Sequence, residues 1–233
     1  MRRFVRSGFT ILELLVVIGI ILVLVSILLP SIKSARQASL QVLCASRLHT
    51  LGHAFIAYAS GNEGQMVTCK ASGVSSRNWV FWQAGRNINQ SALAPYLGLR
   101  DDALRNAFRC PAAFPEEGQG FSGGRAYPLT FTMNAFLNRY RTMTYQKVKN
   151  PANKIVVYDE NENADDDIFW YQTARDTLAA RHGSRSEQVA GINGAAAATL
   201  YREMGNVLYF DGHVDLADNN MCHTATNNDP TVP

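Results

Sequence analysis

The chain has 233 residues, 47% of them hydrophobic and 18% charged, a balance that excludes both a disordered chain and an all-membrane one. The formal net charge of +3 vanishes once Arg2, Arg3 and Arg6 are set aside, so the rest of the chain has no general drive toward nucleic acid or an anionic surface. The length accommodates one membrane segment and one modest domain.

The first predicted element is an apolar run, Phe9–Leu29, behind the basic stretch "MRRFVRSG". It is long enough to cross a bilayer as a helix. It exceeds the ~7–15 apolar residues of a cleavable secretory signal, and no A-x-A site follows it. The arginines keep the N-terminus cytoplasmic and send the remainder to the far side. Glu13 lies inside the run. A carboxylate at a bilayer centre costs ~2.5–3.5 kcal/mol, and less near the interface. Glu13 is therefore either a tolerated interfacial charge or one that meets a partner, such as an ammonium group, which lowers the cost.

The combination of Gly8, Phe9, Thr10, Glu13, the Leu/Val/Ile run and Pro30 resembles the N-terminal segment of type IV prepilins and type II secretion pseudopilins. The resemblance covers about residues 1–60. It implies a leader (residues 1–8) cut after Gly8 by a prepilin peptidase, and N-methylation of Phe9. It also implies a docking role for Glu13, paired with the Phe9 ammonium of a neighbouring subunit. The partners implied are other copies of the chain, other pilin-like subunits and an inner-membrane assembly platform, with no nucleic acid. The head would be periplasmic.

Pro30 removes a backbone donor where the helix would leave the membrane. Beyond it, Leu40, Cys44, Leu48, Leu51, Phe55 and Tyr58 recur at helical spacing and form one apolar face. One helix is thus predicted over 9–60: a membrane and filament-core half (9–29) and an amphipathic half (30–60). Gly61 is its expected C-cap.

A globular head is expected over 61–217, and a polar tail over 218–233. "NWVFWQAG" (78–85) reads as a strand or half-buried loop, and "SALAPYLGL" (91–99) as a short helical turn broken at Pro95. "NKIVVYDE" (153–160) and "IFWYQ" (168–172) read as strands. "NVLYFDGHVDLA" (206–217) reads as a hairpin turning at Asp211-Gly212. The fold class expected is α+β and type IV pilin-like, a long N-terminal helix packed on a small antiparallel sheet.

"FRCPA", "FTMNAFLN", "NPANKIVVYD", "RHG" and "NVLYFDGHVD" together resemble a group of prepilin-like proteins whose C-terminal motif is histidine, nine residues, then Asp-Gly. Here 28 residues separate His182 from Asp211, and "SEQVAGINGAAAATLYREMG" reads as a surface insertion that stretches the motif.

Two groups could hold a metal. His182, Asp211 and His213 offer two imidazoles and a carboxylate, a reasonable zinc or iron set, although turn geometry alone explains Asp211-Gly212. Asp159, Asn161, Asn163, Asp165 and Asp167 alternate as oxygen ligands do around calcium. Ala164 and Trp170 break the EF-hand template, and a solvated acidic loop is the commoner meaning of such a run. The pseudopilin resemblance implies a calcium-stabilised head. Cys44, Cys69, Cys110 and Cys222 form no CxxC pair, and in an exported head they would allow one or two disulfides of undetermined pairing.

No GxSxG, HExxH or phosphate-binding loop appears, and no catalytic residue is assigned. Trp79, Trp82, Trp170 and Tyr171 are a candidate ligand platform, for which core packing is the commoner explanation. The expected function is a non-enzymatic filament subunit. The alternatives are a membrane-anchored periplasmic metal-dependent enzyme and a minor tip subunit that binds a substrate.

Overall fold

The computed structural model describes residues 10–69, 76–82, 85–113, 129–136, 143–160, 168–169, 177–179, 181–189, 198–222, 224 and 228–229. The chain forms two compact units, residues 1–39 and 40–233.

Helix α1 (Ile11–Gly61) contributes to both units. It starts with a capping box of the T-x-x-E type. The Glu13 backbone N–H donates to Thr10 Oγ1 (3.2 Å), and the Thr10 backbone N–H donates to Glu13 Oε2 (2.8 Å). Pro30 lies inside the helix, which continues through it. In unit 1 the large apolar side chains from Ile11 to Leu29 are exposed, and the helix is long and apolar enough to cross a membrane. The helix ends at Gly61, just ahead of Glu63 (φ 57°) and Gly64 (φ 76°), both left-handed; the Gly64 N–H donates back to the Ala59 carbonyl at 2.8 Å. The left-handed stop thus falls on Glu63-Gly64, just beyond the expected cap at Gly61.

In unit 2 the predicted stripe is the buried one. Cys44, Leu48, Leu51, Phe55 and Tyr58 all lie in the core, while Leu40, at the start of the stripe, is half-buried. Four antiparallel strands form the central sheet in the order β1 (Phe131–Asn134), β2 (Ile155–Asp159), β5 (Ala198–Tyr209), β6 (Val214–Asp218). Two-residue β3 (Ile168–Phe169) adds to β1 in parallel, a direction the sequence did not suggest. β4 (Ser184–Val189) pairs with the first half of β5.

Strand β5 shows why the sheet can hold a helix. Leu208 and Phe210 join the cluster that contains the α1 stripe, while Val207 and Tyr209 join a second cluster with Tyr158, Phe169 and Cys222. Alternation with period two therefore feeds two cores, one on each face. The second is bounded by the short helix α4 (Asn219–Cys222), within what was expected to be the polar tail. Among the described residues, two short α-helices lie between α1 and the sheet: α2 (Ala94–Leu97), which has Pro95 in its first turn, and α3 (Asp101–Ala107).

Candidate functional site

Cys44 lies on the inward stripe of α1, and its neighbours in space come from three distant segments. Cys110 follows α3. Its backbone N–H donates to Thr130 Oγ1 (2.7 Å), and the Thr130 and Phe131 N–H groups both reach the Phe108 carbonyl (3.2 Å). These bonds lay residues 108–110 against the start of β1. Asp159 ends β2, in register with Phe131, and its carbonyl accepts from the Ala179 N–H (2.8 Å). His182 precedes β4, and its backbone N–H donates to the Met204 carbonyl (3.1 Å).

The result is a cluster of Cys44, Cys110, Asp159 and His182, whose ligand-type atoms all lie within 4.8 Å of one another. Each residue is at most 2% exposed. Cys110 Sγ is 3.1 Å from His182 Nε2. Arg181 Nη1 sits 3.0 Å from Asp159 Oδ2, whereas Asp159 Oδ1 is buried without a hydrogen-bond partner. Burial pushes the Asp159 carboxyl up to about 6, against the opposing pull of the Arg181 guanidinium. The Cys110 thiol is pushed far above its ordinary range, first by its hydrogen bond with Cys44 and then by burial.

The residues singled out from sequence fall in different places. His182 is not brought together with Asp211 and His213. Those two occupy the exposed turn between β5 and β6, where His213 Nδ1 lies 2.5 Å from Asp211 Oδ1 and the His213 ring stacks on Tyr209. Burial tends to raise Asp211, but the backbone and ring N–H groups of His213 hold its carboxyl below the usual range. Asp159 is the one member of the acidic run that the structure describes, and it points into the core cluster; Asn161, Asn163, Asp165 and Asp167 lie outside the described residues, as do Gly8 and Phe9. Trp79 is fully buried, stacked on Phe55 and edge-on to Phe108, so it is core and not a ligand platform. Trp170 and Tyr171 lie outside the described residues. Cys69 is in the helix-facing core and Cys222 in the outer cluster.

Sequence spacing missed the four-residue cluster because its members are separated by long stretches of chain. The stripe marked Cys44 as inward-facing, and the stretched motif marked His182. What joins them is strand register, which spacing does not carry.

Comparison with protein-family models, curated proteins and solved structures gave no match.

Proposed function

We propose that the chain is a prepilin- or pseudopilin-type filament subunit, processed at Gly8–Phe9 and anchored by α1 before assembly. The observation that carries the reading is the division of labour along α1. Its first half is apolar and exposed, with Glu13 as its one charged residue up to Leu29, while its second half is the core of a folded head. A helix that only supported the head would have no use for the sixteen exposed large apolar side chains between Ile11 and Leu29, which must be covered by lipid or by copies of themselves. The N-terminal resemblance favours cover by lipid first and by neighbouring helices afterwards. The periplasmic placement of the head follows from the arginines ahead of α1.

The capping box gives Glu13 a local occupation besides the proposed pairing with a neighbour's Phe9 ammonium, and the test must separate the two. Glutamine at the same position keeps the box, because its amide oxygen can accept from the Thr10 N–H. It removes the charge. Glu13→Gln is expected to insert, to be cleaved after Gly8 and to yield no filaments. Filaments at the parental level from this variant, seen by shearing and electron microscopy, sink the assembly role.

The enzyme reading gains nothing from the cluster around Cys110. Its four members are sealed from solvent, and an active centre needs a position open to substrate.

A further inference from the structure

The buried cluster is a better ligand set than a core. An apolar interior has no use for two thiols, an imidazole and a carboxylate together, and a buried carboxylate oxygen without a partner is costly. Neighbouring donors around a tetrahedral zinc ion stand roughly 3.3–3.8 Å apart, given bonds of ~2.0–2.3 Å. The four donor atoms lie within 4.8 Å of one another, and the Cys110–His182 pair is at 3.1 Å, so small side-chain rotations bring them to a common ion.

The donor chemistry selects the metal. Thiolates with imidazole suit zinc, whereas calcium and magnesium take six or more oxygens. Charge also closes. Two thiolates, one carboxylate and a divalent ion sum to one negative charge, and the Arg181 guanidinium against Asp159 Oδ2 cancels it, as a buried site requires. That contact claims Oδ2 and leaves Oδ1 as the donor toward the cluster, the usual way an outer group orients a ligand.

We propose that Cys44, Cys110, Asp159 and His182 bind one zinc ion as a closed structural site. The site ties α1 to the sheet from inside the head. Binding displaces the two thiol protons, because a coordinating thiol is deprotonated outright. This inference is independent of the filament reading, since any exported or cytoplasmic head with this fold would bind the ion.

The test uses the full chain in detergent, purified with reductant and without chelator, and measured by elemental mass spectrometry. About one zinc per chain is expected, the stoichiometry of a four-ligand site. Cys44→Ala and His182→Ala should fall to background, while His213→Ala, at the exposed turn, should keep its zinc. Because the first two variants could fail to fold, the parental chain is also exchanged with cobalt. A thiolate charge-transfer band with strong tetrahedral visible absorption is expected. A weak octahedral spectrum, a parental chain that takes up no zinc, loss of zinc in His213→Ala, or a Cys44–Cys110 disulfide in peptide mass maps of that same reduced preparation each overturns the proposal.

Discussion

Arg181 Nη1 and Asp159 Oδ2 lie 3.0 Å apart, with the carboxylate wholly out of water and the guanidinium nearly so. The same Nη1 also reaches the Glu160 carbonyl at 3.3 Å, so the arginine braces the end of β2. A buried pair is weak evidence of net stability, but breaking one strands a charge. In the presence of chelator, Arg181→Met should cost roughly 3–5 kcal/mol of unfolding free energy. Adding Asp159→Asn should recover most of that loss, because the stranded charge is then gone. Urea denaturation followed by tryptophan emission reads both. Equal losses in the single and double variants contradict this account.

Gly52 of α1 lies tight against the β5–β6 hairpin. A Cβ there would meet Leu208 Cδ1 at 2.8 Å and the backbone of Gly212 at 3.3 Å. Alanine ordinarily improves a helix by ~1 kcal/mol over glycine. Here overpacking of roughly 1–3 kcal/mol should prevail, since the Gly212 backbone cannot swing away as a side chain can. Gly52→Ala is thus expected to lower the melting temperature, and a rise would show that the hairpin yields.

Tyr209 supplies a pH signature outside the cluster. Burial pushes its phenol up to about 12, with the nearby Cys222 and Asp215 adding to the effect. A phenol whose folded pKa is raised holds its proton more tightly in the native state. Its contribution to stability is intact below about pH 10 and is lost as the pH climbs from there toward 12. Ultraviolet difference titration should show a late-ionising tyrosine in the native chain that joins the others in denaturant. Replacement by phenylalanine should remove that late step, and its persistence would assign it elsewhere.

Much of the fold was legible. The length of the apolar run placed the first half of α1, the period of the stripe beyond Pro30 placed its second half, and the β-branched run 155–159 placed a strand that is buried along its whole length. The 206–217 stretch gave its hairpin, although the loop runs over Phe210–His213, with Gly212 at φ 94° supplying the left-handed residue. Helix α3 was missed because "DDALRNA" is too short to show a period. Strand β3 falls within the expected 168–172 run, but its parallel pairing was not foreseen, because two residues of register say nothing of direction. The cluster was half legible. All four members had been named for other reasons: Cys44 for its place on the stripe, Cys110 as a possible disulfide partner, Asp159 for the acidic run, and His182 for the stretched motif. Only the sheet register shows that they meet.

The stretch read as a surface insertion is organised by β4 and β5, whose register runs from Ser184 against Glu203 to Val189 against Ala198. Both legs of this ribbon leave and return beside the same two residues, as Gly183 and His182 exchange backbone hydrogen bonds with Met204. Chain length here is consequently decoupled from geometry. Residues can be added or trimmed as matched cross-strand pairs, rung by rung, and the ladder changes height while its foot stays where it is. His182 would keep its address beside Cys110 whether 28 residues or far fewer separated it from Asp211.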